Sequence, residues 1–153
     1  DLLIDGKKVC GILTELIPVR AGQTCLAIGA GINVNTDLAD FPDDVQTRAT
    51  SLKAVSGISY DRNRLAAQII CQLVTCYTET LRGVRFAHLR QEMLQYCCTL
   101  GQSIGTEQGN QWLEGVAETI DDTGALHLIG HDGVRHRIIS GEIVQRQGIG
   151  WQK

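Results

Sequence analysis

The chain has 153 residues, 43% hydrophobic and 20% charged, enough for one ordinary domain or one incomplete domain with a small appendix; wholesale disorder and a collagen-like repeat are excluded. Fourteen basic against seventeen acidic residues give a formal charge of -3, so there is no general electrostatic footprint for nucleic acid or an anionic membrane, and any anion site has to be local. No apolar run reaches the ~20 residues that span a bilayer and no basic-then-apolar stretch reads as a signal peptide, which makes the cytosol the expected address.

Residues 1–35 alternate strand-like runs with turn signals: LLI, then Asp5-Gly6, then VCGILTEL, then Pro18 to Gly22, then TCLAIGAGINV. Asp-Gly between apolar runs predicts a hairpin, because glycine accepts the positive φ the turn requires. Residues 36–57 carry four aspartates between 37 and 44, a proline and little periodicity, and read as a long, functional loop with a short helical turn. From Asp61, an N-cap, the period becomes helical: Leu65, Ile69, Leu73, Cys76 and Tyr77 share a face, and Gly83 ends the run. A second, shorter helix runs through Phe86, Leu89, Met93, Leu94 and Cys97; the pair is expected to cover one face of the sheet.

After Gly101 the period returns to two, with turns at Gln108 to Asn110, Asp121 to Gly124 and His131 to Gly133, the pattern of a small SH3-like barrel. The fold class is therefore α+β: a partial mixed sheet with a helical pair over residues 1–99, then a β domain over 100–153 whose glycine-rich tail is loosely held. Six cysteines (Cys10, Cys25, Cys71, Cys76, Cys97, Cys98) lack CxxC spacing and read as reduced, buried small hydrophobes.

In IGAGINVN, residues 28–35, Gly29 and Gly31 alternate along a strand and bare one face of it, so a flat or phosphorylated ligand can lie against the backbone. Val34 stands where the dinucleotide fingerprint needs its third glycine, which rejects Rossmann-type binding. Asn33, with a donor and an acceptor, suits the edge of a nucleobase, while its bland reading is a turn asparagine beside a packing contact. Lys7 and Lys8 precede a strand in which Gly11 opens another bare patch with Leu13 on the same face. A lysine there holds a carboxylate or phosphate as a point charge; its bland reading is a solvated edge charge. The combination of Lys8, Gly11, Gly29, Gly31 and Asn33 on neighbouring strands is what favours a site.

Reading GHDGV as a three-residue hairpin loop pairs Gly130 with Val134, Leu126 with Ile138, Leu128 with His136 and His127 with Arg137. His127 and His136 then lie on opposite faces, which argues against zinc, so no metal ligands are assigned. Arg135, Arg137 and His127 share the outer face, as a solvated face or a local cationic strip for phosphate or protein.

DLLIDGKKVCGILTEL, followed by IGAGINVN and ATSL, resembles the second half of the catalytic domain of biotin protein ligases, and the likeness continues through a helical pair to a small SH3-like domain closing on SGEIVQR. That resemblance implies a ligase in which biotin and ATP condense to biotinyl-5'-AMP with release of pyrophosphate, after which a lysine of a biotin carboxyl carrier protein takes the biotin. Mg2+ accompanies ATP. It implies Lys8 against the biotin carboxylate and adenylate phosphate, with Gly11, Leu13, Gly29, Gly31 and Ile32 lining the biotin slot. Asn33 would contact adenine, Arg146 the ATP phosphates, and Asp1, matching the end of a KWPND motif, would steer magnesium or the incoming amine. Residues 36–50 correspond to a segment folding over the adenylate.

Family members also carry a GRGRxG loop and the KWPN preceding that aspartate, and neither lies in these 153 residues. The chain accordingly reads as the back portion of a longer polypeptide, inactive by itself, without a DNA-binding domain or a membrane segment; a homodimer is admitted. A non-catalytic module keeping the SH3-like domain for protein contacts is the alternative, and an RNA-associated adaptor is disfavoured by the charge.

Overall fold

The computed structural model describes residues 1–82, 86–109, 111–141 and 143–145. The expected helix stop at Gly83, the turn residue Asn110 and the tail 148–153 lie outside the described residues. Two compact units, Asp1–Gln72 and Leu73–Lys153, divide the chain.

In the first unit, strands β1 (Leu2–Ile4), β2 (Lys7–Pro18) and β3 (Thr24–Ile32) form an antiparallel sheet in the order β1-β2-β3. Asp5 at φ 50 and Gly6 at φ 75 make the tight left-handed turn between β1 and β2 that Asp-Gly predicts. A parallel partner enters only as a bridge between Lys8 and Ala49. The stretch expected as a loop contains a 3₁₀ turn at Leu38–Asp40 and two short helices, α1 (Asp43–Gln46) and α2 (Leu52–Ser56). Ser51 starts α2 by accepting a hydrogen bond from Ala54 N at 3.0 Å, and Gly57 ends it at φ 76.

Helix α3 (Arg62–Leu81) begins as expected, with Asp61 Oδ1 accepting from the amides of Asn63 (2.9 Å) and Arg64 (3.1 Å). The face expected to be buried is not buried as a whole: Leu65, Ile69 and Cys76 are half-buried, but Leu73 and Tyr77 are exposed.

In the second unit, β4 (Ser103–Gln108), β5 (Gln111–Ile120), β6 (Leu126–Gly130), β7 (Arg135–Ile138) and β8 (Ile143–Gln145) form an antiparallel sheet ordered β7-β6-β5-β4-β8. Its core is Ile104, Ala117, Ile120, Leu126, Leu128 and Ile138. Helix α4 (Phe86–Tyr96) and the turn after it cover this sheet, with Leu94, Cys97 and Leu100 against that core, which corrects the expectation of a helical pair over the first sheet. The β6–β7 register is the expected one, Leu126 opposite Ile138 and His127 opposite Arg137, and Gly130 N donates to Val134 O at 2.8 Å.

The fold class is α+β, as expected, with a small second β unit. The cysteine reading needs correction. None of the six cysteines forms a disulfide, but only Cys10 is buried, while Cys25, Cys71 and Cys98 are exposed. No described helix is long and apolar enough to cross a membrane.

Candidate ligand site on the first sheet

Lys8 and Gly11 are three residues apart, so a regular strand would send them to opposite faces. Between Leu2 opposite Cys10 and Leu3 opposite Lys8 the register shifts, which leaves Val9 as an extra residue on β2. This bulge returns Lys8 to the side of Gly11. The lysine side chain then lies across the glycine: a Cβ at position 11 would stand 3.1 Å from Lys8 Cε and 3.2 Å from Nζ. Gly11 is bare because the lysine occupies the space a side chain would need.

On this face Gly11 pairs with Gly31 and Leu13 with Gly29, so the glycines of both strands form one floor. Lys8 Nζ is 2.9 Å from Asp1 Oδ2, with both side chains about half exposed at 48% and 51%. A hollow of about 510 Å³ is lined by Asp1, Lys8, Gly11, Leu13, Gly29 and Gly31, with Ile12 and Ala30 contributing. An adjoining hollow of about 690 Å³ shares Asp1, Lys8, Gly11 and Gly31 and adds Asn33, Phe41, Val45, Arg48 and Ala49.

The main chain of Lys8 is held where β3 ends. Lys8 N donates to Arg48 O at 2.8 Å, and Thr50 N donates to Lys8 O at 2.9 Å. Asn33 N donates to Val9 O at 2.9 Å, and Leu52 N to Asn33 O at 3.0 Å. The ATSL stretch is therefore a clasp, with Ala49, Thr50 and Ser51 buried. Asn33 Nδ2 donates to Thr50 O at 3.1 Å, which ties one of its two N–H groups to the clasp and fixes the orientation of its amide.

Of the expected site residues, the fold brings together Asp1, Lys8, Gly11, Leu13, Gly29 and Gly31, with Asn33 in the adjoining hollow. Ile32 pairs with Cys10 in the alternate register and lies on the other face of β3, away from the glycine floor. Arg146 lies outside the described residues. Sequence reading missed Phe41, Val45 and Arg48; the i, i+4 spacing of Phe41 and Val45 across α1 was the available signal, too short to show as periodicity.

The outer-face residues Arg135, Arg137 and His127 are paired with carboxylates, which neutralises the cationic strip that was the alternative to a solvated face. Arg135 bonds Glu118 at 2.8 Å, while Arg137 at 2.8 Å and His127 at 3.1 Å share Asp121.

On the glycine-floored face of the first sheet the Lys8 ammonium is a local positive charge beside exposed main chain. Residues 99–146 match the biotin protein ligase C terminal domain family. The bifunctional ligase/repressor BirA of Bacillus subtilis (strain 168) is 34% identical over 146 residues, covering 94% of this chain and 43% of the relative. The biotin--[acetyl-CoA-carboxylase] ligase of Paracoccus denitrificans is 32% identical over 138 residues, covering 87% of this chain and 55% of the relative. In fold, the chain resembles the biotin protein ligase of Aquifex aeolicus, with a TM-score of 0.77 at 23% identity, over 95% of this chain and 61% of that one. A structure of the Aquifex protein in complex with biotin and ATP matches with a TM-score of 0.76 at 22% identity, over 95% of this chain and 58% of that one. Residues 99–146 belong to the biotin protein ligase C terminal domain family, and the chain as a whole is similar to the C-terminal part of such ligases, spanning about 43% of the length of the Bacillus relative.

Proposed function

We propose that this chain supplies the lysine and glycine floor of a biotin protein ligase, which forms biotinyl-5'-AMP from biotin and ATP and passes the biotin to a lysine of a carboxyl carrier protein. The observation that carries the reading is the ammonium of Lys8 lying across Gly11 on the same face as Gly29 and Gly31. The names of the relatives and the Aquifex complex with biotin and ATP support the substrate class.

In the first step a biotin carboxylate oxygen attacks the α-phosphorus, the bond to the β,γ-phosphates breaks and pyrophosphate leaves. Lys8 offsets the charge gathering on carboxylate and phosphate and holds them in line. In the second step the carrier amine attacks the acyl carbon, AMP leaves, and the amine loses a proton. Leu13 and the glycine floor accommodate the biotin. Asn33, its amide oriented by Thr50, meets the edge of adenine with its oxygen accepting from the amino group.

Among the described residues no group of three acidic, histidine or cysteine side chains gathers, and Asp1, already paired with Lys8, is the single carboxylate lining the hollows. Such a donor set fits magnesium carried on nucleotide phosphates, with Asp1 as its one protein carboxylate. The reading assigns residues 1–99 to the catalytic domain and 100–153 to the C-terminal domain. The experiment is adenylate formation in a chimera joining this chain to the leading portion of the Bacillus subtilis relative. Lys8→Ala should lower the rate about a hundredfold or more; an unchanged rate sinks the assignment. The 153 residues alone should show no turnover with biotin, ATP, magnesium and carrier protein.

A further inference from the structure

We propose that Gln46 is a positioning residue: its side chain clips the main chain of Phe41 and so sets the aromatic wall of the hollow that adjoins Lys8. The clip stands on the chain's own contacts; its consequence for a nucleotide rests on the ligand reading above.

Three observations carry it. First, Phe41 and Val45 line the adjoining hollow with Asn33, Arg48 and Ala49, whereas Gln46 lines neither hollow and therefore acts on a ligand only through a neighbour. Second, the half-buried Gln46 commits its amide nitrogen to this stretch: Nε2 donates to Phe41 O at 2.9 Å and to Asp43 Oδ1 at 3.3 Å. Phe41 immediately precedes Pro42, the N-cap of α1, and Gln46 is the fourth residue of that helix. An apolar staple commonly joins these two positions and fixes the angle at which a chain enters a helix; here a hydrogen bond joins them. Pro42 also confines Phe41 to extended backbone, φ -77 and ψ 145, so the clip closes on a residue that is already restricted.

Third, both ends of the stretch are pinned without Gln46. At the leading end Ser51 Oγ donates to Thr36 O at 2.6 Å, and Lys53 Nζ meets the Asp37 carboxylate at 2.7 Å. At the trailing end Arg48 O and Thr50 N hold the main chain of Lys8. Between them Phe41 N reaches Leu38 O only at 3.4 Å, outside the usual range, so among the described hydrogen bonds of Phe41 the clip is the short one. Loss of the clip frees the aromatic wall and leaves Lys8 in place. Nucleotide binding then suffers and biotin binding does not.

The test uses Gln46→Met, which keeps the length of the side chain and removes the donor; Gln46→Ala replaces it should that variant fail to fold. In the 153-residue chain, backbone order parameters at Phe41, Asp43 and Asp44 should lie near about 0.85 and fall below about 0.6 in the variant. In the chimera with the leading portion of the Bacillus subtilis relative, the KM for ATP should rise about fivefold to tenfold, the worth of one net hydrogen bond, with kcat and the KM for biotin within about twofold of the parent. In a Phe41→Ala background the same substitution should add less than about twofold. Order parameters that are low in the parent, or unaltered in the variant, overturn the clip. An unaltered KM for ATP, an equal loss for biotin, or full additivity with Phe41→Ala overturns its role at the hollow. A parent chimera that forms no adenylate sinks the ligase reading and the nucleotide role with it, while the order parameters still decide the clip.

Discussion

A methyl group at position 11 would meet Lys8 Cε at 3.1 Å and Nζ at 3.2 Å, so Gly11→Ala has to push the ammonium aside. The backbone loses nothing by the change, and the fold should persist. The lysine has to give by a few tenths of an ångström, whereas a full ~1 Å misplacement at a reacting centre costs about a hundredfold in rate. Adenylate formation by the Gly11→Ala chimera should fall, by less than that, with an unaltered melting temperature, and a variant as fast as its parent would show that Lys8 does not act from this position. The ion pair with Asp1 is about half exposed and contributes at most ~1 kcal/mol to stability, less once screened by solvent. Its weight lies in aiming the lysine.

Two local elements hold their units together through single polar side chains. Ser51 is fully buried; its hydroxyl donates to Thr36 O at 2.6 Å and accepts from Ala54 N at 3.0 Å. Ser51→Ala strips the cap from α2 and leaves a carbonyl without its donor. We expect a loss of about 1–2 kcal/mol in urea unfolding. At the β5–β6 turn, Asp121 accepts from Thr123, Ala125, Arg137 and His127. Hydrogen bonds from Thr123, Arg137 and His127 hold its carboxyl well below the usual carboxylate range. A depressed folded pKa means the contribution is present above the unfolded value, about 4, and is lost as pH falls below it. The melting temperature should therefore be flat from neutral pH to about 4 and drop beyond. Asp121→Asn should melt lower at neutral pH and lose part of that acid dependence. Gly115 is a steric requirement of the same sheet, since a Cβ there would collide with the Ile129 carbonyl.

At the scale of the molecule, the exposure of Ile12 (47%), Leu16 (73%), Leu26 (57%) and Ile28 (54%) on one face of a short sheet makes an apolar patch of the kind that marks an interaction surface. The chain should enhance the fluorescence of an anilinonaphthalene dye at neutral pH, and Leu16→Lys with Ile28→Lys should suppress most of that signal. No enhancement would mean that this surface is covered.

Turn chemistry and period were legible at once. Asp5-Gly6 and the His131 to Gly133 loop each require left-handed residues that the sequence displays, and the β6–β7 register followed from matching apolar with apolar. Glycine spacing likewise marked the floor, because removal of side chains on one strand face needs no tertiary knowledge to recognise. What no local pattern contains is the extra residue at Val9, which decides the face on which Lys8 emerges, or the reach of Arg48 and Thr50 across forty residues to clamp its main chain. The burial of cysteines and of the α3 face was misjudged for the same reason. Periodicity says which side of an element is apolar, but only the arrangement of distant segments decides whether anything comes to cover it.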